Sequence, residues 1–364
     1  FINLIEYIFI FYIYIVNIYI VLMRFNFYFL LSLIVFSFSC NKNENIAFSS
    51  VHEDVLFFDS ILNIRALEVN SNKVVAANYD GKIITIMDNF IDIKQYESKA
   101  DSVLFPNFRS LSVVNDSIYS LSIGNPALIF KNGRVVYKEY GSSVFYDSMS
   151  FWNETEGIAM GDPVGDCLSI VITRDGGNNW TKLPCSDLPK VNKGEAAFAA
   201  SNTNITIQGN KCWIATGGIH SNVYFSNDKG HSWKSYKTPI IQGQETTGIY
   251  SIDFYNDTLG YAIGGDYTKP LDNFKNKIKT IDGGKSWKVI GESNGPGYRS
   301  CVQFIPGSQG KQLVAVGFKG IDISNDYGLS WSHLSDSSYY TIRFVNYNTA
   351  YAAGKHKISK LIFK

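Results

Sequence analysis

At 364 residues, 45% of them hydrophobic, the chain is long enough to bury a large core. A formal net charge of +1 gives no electrostatic reason for nucleic acid as a partner, and none is expected. With 23 Tyr, 25 Phe and 30 Gly against 9 Pro, the composition leans toward an all-β fold.

Residues 1–22 are almost wholly apolar and begin with Phe; the first Met is Met23. From there the chain reads Met23-Arg24, an apolar run from Phe25 to Phe38, then Ser39-Cys40. That order is a short basic region, a hydrophobic region and a small residue before Cys. It resembles a bacterial lipoprotein signal, although Ser37 and Phe38 sit where the usual lipobox has Leu and a small residue. The resemblance implies a signal over residues 1–39, lipidation at Cys40 and a linker over 40–50; the repeat described below makes 51–364 a single domain. It also implies export to the periplasm or outer membrane of a Gram-negative-type bacterium, with the membrane as a partner through the lipid. The alternative is a transmembrane anchor built from residues 1–38, and it stays open that residues 1–22 lie upstream of the start. Four further cysteines remain, Cys167, Cys185, Cys212 and Cys301. Export permits disulfides, and no Cys or His spacing suggests a metal.

A repeat organises the rest. The pattern Ser/Thr-x-Asp-x-Gly-x-x-Trp occurs four times, at Thr173-Asp175-Gly177-Trp180, Ser226-Asp228-Gly230-Trp233, Thr280-Asp282-Gly284-Trp287 and Ser324-Asp326-Gly328-Trp331. The Asp caps backbone amides within a tight turn, and the Gly supplies a positive φ. The hydroxyl ties the turn to the strand before it, and the Trp opens the next strand. The motif is a hairpin staple, so Asp175, Asp228, Asp282 and Asp326 read as structural. Two strand-like runs precede each staple, for example 248–254 and 260–264 before the strand 277–280. One such four-stranded unit is a propeller blade.

In chain order, blade 1 runs from Ile64 through Val74–Ala77 to Ile83–Thr85, and blade 2 from Phe108 through Ile118–Leu121 to Val135–Tyr137. Blades 3 to 6 carry the staples. The tail from Tyr340 to Phe363 holds three more strands, and Val55–Phe58 reads as its missing fourth, which closes a ring of seven blades; six is the alternative. Cys167 and Cys185 are equidistant from the third blade's staple, so they face each other across antiparallel strands and are expected as a disulfide. Cys212 and Cys301 fall in non-neighbouring blades and are expected free and buried.

The staples resemble Asp-boxes, or BNR repeats, found in sialidases and in the photosystem II assembly factor family, the Ycf48-like propellers. The resemblance covers Val51 to the end. The stretches Gly161-Asp162-Pro163, Gly194-Glu195-Ala196-Ala197-Phe198-Ala199-Ala200-Ser201, Thr216-Gly217-Gly218 and Gly264-Gly265-Asp266-Tyr267 are similar to an exported bacterial branch often filed as "oxidoreductase" or "glycosyl hydrolase". No Gly-x-Gly-x-x-Gly after a strand, haem Cys-x-x-Cys-His or copper-like His/Cys set is present, so no cofactor is expected. The first blade lacks the sialidase Arg-Ile-Pro, since Arg65 precedes Ala-Leu and Arg109 precedes Ser-Leu.

Alternating strand direction puts the b–c and d–a loops on the face opposite the staples. That face gathers Arg65, Arg109, Asp162, Glu195, His220, Asp266, Tyr267 and Arg299 as candidate ligand-binding residues. Cations from blades 1, 2, 6 and 7 face carboxylates from blades 3 to 5, an arrangement that suits a dipolar ligand, a sugar acid or a peptide terminus. The expected function is a lipid-anchored binding or assembly module for a protein, peptide or carbohydrate. The alternative is a glycoside hydrolase using Asp162, Glu195 and Asp266.

Overall fold

A computed structural model describes residues 2–37, 47–70, 73–88, 90–98 and 105–364. The expected lipidation residue, Cys40, lies outside them. Residues Ile2–Ser37 form one helix whose 18-residue window Tyr7–Arg24 has a mean hydropathy of 1.9. By length and composition it is apolar enough to cross a membrane, a test that a signal sequence also passes.

Strand-forming runs rich in Val, Ile, Tyr and Ala build the unit Ala47–Lys364. Its strands hydrogen-bond into six sheets, four of them four-stranded, one six-stranded and one seven-stranded. The pairings are antiparallel, most of them between neighbours joined by short turns. The seven-stranded sheet is continuous through the strand Val51–Asn70. Its first part pairs with Lys355–Phe363, from Val51 opposite Phe363 to Phe58 opposite Lys357; its second part pairs with Lys73–Asn78. We call the strand that opens each four-stranded group its lead strand. The lead strands touch in succession: Val51–Asn70, Phe108–Val114, Tyr146–Phe151, Ile205–Gln208, Thr247–Phe254, Cys301–Phe304 and Thr341–Phe344. Thr341–Phe344 touches Val51–Asn70 in turn. Between groups lie apolar layers, such as Ile158, Ile170 and Ile172 against Ile205, Ile214 and Tyr224.

The four staple turns share one hydrogen-bond scheme. At the third, the Thr280 hydroxyl donates to Asp282 Oδ1 at 2.8 Å and accepts from the Gly284 amide at 3.0 Å. Asp282 Oδ1 also accepts the amides of Lys285 and Ser286, and its Oδ2 accepts the Ser286 hydroxyl at 2.6 Å. Asp175, Asp228 and Asp326 repeat the pattern. The turns also hold neighbouring sheets together. The Tyr119 hydroxyl donates to Gly176 O at 2.7 Å, Trp213 Nε1 to Gly283 O at 2.8 Å, and the Tyr261 hydroxyl to Gly328 O at 3.4 Å. In each case the aromatic donor belongs to the preceding group. The staple glycine is required there twice over: Gly328 has φ +81°, and a Cβ on it would lie 2.2 Å from the Tyr261 ring.

A disulfide joins Cys167 and Cys185, with Cα atoms 5.4 Å apart. Cys185 does not continue the antiparallel ladder, which stops at Thr181–Lys182. It opens the 3-10 turn Cys185–Asp187, and the bridge pins that turn to the strand Cys167–Thr173. Cys212 and Cys301 are free and buried.

Burial alone would raise the Asp282 pKa, but the Ser286 and Thr280 hydroxyls and the amides of Ser286 and Lys285 outweigh it and bring it to about 2. A carboxyl depressed on folding stabilises the fold above its unfolded pKa and loses that contribution as pH falls through the folded value. Asp282→Ala is therefore expected to cost about 1–2 kcal/mol in urea unfolding at pH 7. The gap to wild type should narrow as pH drops from 3.8 toward about 2.

Candidate functional site

Several lead strands carry a β-bulge near their start. Pairing slips between Ile64 and Ala66, Phe108 and Ser110, and Ile249 and Ser251 on the lead strands themselves; opposite Met160–Gly161 it passes from Ser148 to Tyr146. The skipped residues are Arg65, Arg109, Tyr250 and Asp147. A bulge re-aims the extra side chain out of the sheet's alternation. Here Arg65, Arg109 and Tyr250 line one cavity of about 440 Å³, together with Tyr340, which immediately precedes its lead strand.

The floor of that cavity is residues 196–200, the approach to the lead strand Ile205–Gln208. Residues 197–204 form no strand, yet their polar groups reach the other six lead strands or the residues just before them. Arg65 Nη1 donates to Ala200 O at 3.4 Å, and Arg109 Nη1 to Ala199 O at 3.2 Å. Asn202 accepts the Ser110 hydroxyl and the Met149 amide and donates to Leu111 O. The Ser201 hydroxyl donates to Ser300 O, and Ser201 O accepts the Thr341 hydroxyl. Thr203 donates to the Ser251 hydroxyl, and its carbonyl accepts the Ile252 amide. Asn202 adopts φ +59°, a left-handed conformation that Asn tolerates.

The walls are aromatic. Phe198 stacks on Tyr250 with centroids 3.9 Å apart, Tyr250 meets Tyr298 edge-on at 4.8 Å, and Tyr298 packs on Phe318 at 5.5 Å. Tyr267 closes the group, 6.3 Å from Tyr298. The Arg65 guanidinium carbon lies 4.1 Å from the Tyr340 ring centroid. Burial first, and then the charge of Arg65, lower the Arg109 pKa to about 10. Two guanidiniums thus sit close enough to disfavour each other.

The cavity includes Arg65, Arg109, Asp162 and Tyr267 from the expected set. Asp162 Oδ1 accepts the Ala197 amide at 2.7 Å, and burial raises its pKa despite that bond. Glu195 borders an adjoining hollow of about 650 Å³ and is 5% exposed. Its carboxylate accepts from the Asn192 amide and side chain, the Thr216 and Tyr224 hydroxyls and Asn222 Nδ2. Asp266 is bound to the Thr268 amide and hydroxyl, an Asx turn. Arg299 is buried against Asp322 at 2.6 Å and donates to Tyr298 O. His220 is exposed and borders neither cavity. The expected acidic arc is therefore represented in the cavity by Asp162 and the basic arc by Arg65 and Arg109.

Asp147 was not among the expected residues. It is fully buried, and neither carboxyl oxygen makes a hydrogen bond of good geometry among the described residues, although the Ala199 amide lies near enough to favour the ionised form. The groups that act on its charge are Asp162, Arg109 and the Ala199 amide, all at the cavity. Burial first, then Asp162, push its pKa well above the usual carboxylate range. Aligning Phe108-Arg109-Ser110 with Tyr146-Asp147-Ser148 and Ile249-Tyr250-Ser251 would have found it, since in these three the bulged residue precedes a Ser.

This arrangement is that of a β-propeller. A solved structure of YCF48 bound to D1 peptide matches with a TM-score of 0.58 at 10% identity, covering 88% of this chain and 96% of that one. U3-55K matches with a TM-score of 0.59 at 12% identity over 86% of this chain and 98% of that one. A computationally designed protein, Ika8, matches with a TM-score of 0.52 at 10% identity, covering 86% of this chain and all of that one. At such identities the likeness is one of fold. No protein-family model matches the chain, and no curated protein does.

Glu195 faces only donors. Glu195→Gln turns an amide NH₂ toward hydroxyls and amides that need an acceptor. It should cost about 3 kcal/mol, measured as a lower urea midpoint with an unchanged slope.

Proposed function

We propose that the chain is a seven-bladed propeller, its ring closed by the strand Val51–Asn70, that acts as a binding or assembly module for a protein or peptide, with the aromatic cavity and its rim as the contact face. The observation that carries this reading is the pair Arg65 and Arg109, held by bulges at one cavity with their charges set against each other. Half-buried like charges whose hydrogen bonds go to carbonyl oxygens favour a ligand that brings negative charge. The closure rests on the two-way pairing of Val51–Asn70 and on the cyclic order of lead-strand contacts. A peptide-bound propeller among the structural matches supports the class of partner. The staples are read as Asp-boxes. The glycoside-hydrolase alternative has less to stand on, because Glu195 and Asp266 spend their oxygens on structural bonds.

Export and lipidation at Cys40 complete the proposal. Mass spectrometry of membrane-extracted protein should find an acylated Cys40 at the mature terminus, and a different terminus refutes it.

The module reading is tested with a displayed peptide library panned on the purified protein. Enriched peptides are expected to lose at least tenfold in affinity on Arg65→Ala/Arg109→Ala, with circular dichroism unchanged. Lys285→Ala, on a staple turn, should bind as wild type does. Peptides that bind all three proteins equally would place recognition elsewhere.

A further inference from the structure

Resting on that reading of the cavity, we propose that its ligand group is an organic carboxylate on a flat apolar body, and that Asp147 is the positioning residue that leaves Arg109 free for it.

The shape of the cavity argues for the apolar body. Phe198, Tyr250, Tyr267, Tyr298 and Phe318 form a connected set of rings along one side. Burial holds the Tyr250 and Tyr298 hydroxyls far above their ordinary pKa, so this wall stays neutral. A planar or aromatic group gains offset or edge contacts against such rings. Inorganic anions would leave the wall unused.

The carboxylate follows from the arginines. A buried Arg65 Nε has no partner among the described residues, and the recorded Nη1 bonds of Arg65 and Arg109 go to backbone carbonyls at 3.4 and 3.2 Å. Arg109 Nε bonds Asn107 Oδ1. The planar guanidinium fork matches a carboxylate, and a neutral group would not relieve the repulsion between the two cations.

Asp147 decides whether that charge is available. Three elements bring polar or charged groups to its carboxyl: Phe108–Val114 contributes Arg109, Gly157–Val164 contributes Asp162, and the crossing segment contributes the Ala199 amide. Ionised, Asp147 would offset the Arg109 charge and repel an incoming anion. Protonated, it leaves Arg109 uncompensated. Full burial without a well-formed hydrogen bond favours the protonated form, as does the neighbouring Asp162, and together they outweigh Arg109 and the Ala199 amide. A bound carboxylate adds a second like charge and holds the proton more firmly. Binding therefore takes up a proton, and affinity falls as pH rises through the Asp147 titration.

The test is calorimetry on the intact protein with phenylacetate, phenylacetamide and acetate from pH 5 to pH 8. Phenylacetate should bind at least tenfold more tightly than the other two, and should weaken about tenfold across that range. Proton uptake, read from the heat difference between two buffers of unlike ionisation enthalpy, should accompany binding. Asp147→Asn keeps the shape with a neutral group; it should retain the low-pH affinity and lose most of the pH dependence. The buffer measurement on wild type decides the matter if that variant does not fold. Equal binding of phenylacetamide, absence of proton uptake, or an unchanged pH profile in Asp147→Asn would overturn the proposal. Tripeptides ending in Phe, with free or amidated termini, separate the sources. A free terminus that outcompetes phenylacetate points to a chain end, and the reverse points to a free aromatic acid. If library peptides bind but phenylacetate neither binds nor competes, the ligand class fails while the module reading stands. If nothing binds, both fail.

Discussion

Residues 197–204 belong to no sheet, so their backbone and side-chain polar groups must find partners outside a ladder. They find them on every other lead strand or just before it: Arg65, Arg109 and Ser110, Met149, Ser251 and Ile252, Ser300, and Thr341. The run Ser201-Asn202-Thr203 is suited to this because short polar side chains bond nearby backbone as readily as they bond each other. A propeller without such a segment has an open channel along its axis. Here hydrogen-bonded chain reaches all the other lead strands, and residues 196–200 of it line the cavity.

That floor governs the electrostatics above it. Ala199 and Ala200 present carbonyl oxygens to the two arginines, and the Ala197 amide meets Asp162. The amides and carbonyls of one strand of chain thereby sort charge by sign. Cations gather where carbonyls point up, and a carboxylate sits where an amide does. Elsewhere near this face Arg299 is paired with Asp322, and Asp266 and Glu195 are held by neutral hydrogen-bond donors.

The all-β class and the staple turns were legible in the sequence because their chemistry is local. Thr280, Asp282, Gly284 and Ser286 satisfy one another within a few residues, and a repeated spacing records that. What the staples do between sheets was not legible, since Tyr119, Trp213 and Tyr261 lie roughly fifty or more residues from the carbonyls they hold. The cavity was half legible. Loop position marked Arg65, Arg109, Asp162 and Tyr267, but not whether a neighbouring donor or acid had already claimed each side chain. Arg299 and Glu195 carry the right chemistry and are occupied. Asp147 and Tyr250 sit inside strands, and only the bulges that displace them bring them to the site.

The strand Val51–Asn70 joins the two halves of the seven-stranded sheet, and its partners come from opposite ends of the folded unit. Residues 64–70 pair with a strand a few positions on, which forms early in any chain that folds locally first. Residues 51–58 wait for Lys355–Phe363, some three hundred residues later, so their backbone stays an open edge until then. Closing so long a loop carries an entropy penalty that grows only slowly with length; the delay matters more than the free energy. For a chain threaded through a narrow passage from its first residue, that delay keeps the leading end unsealed until the last strand has followed it through.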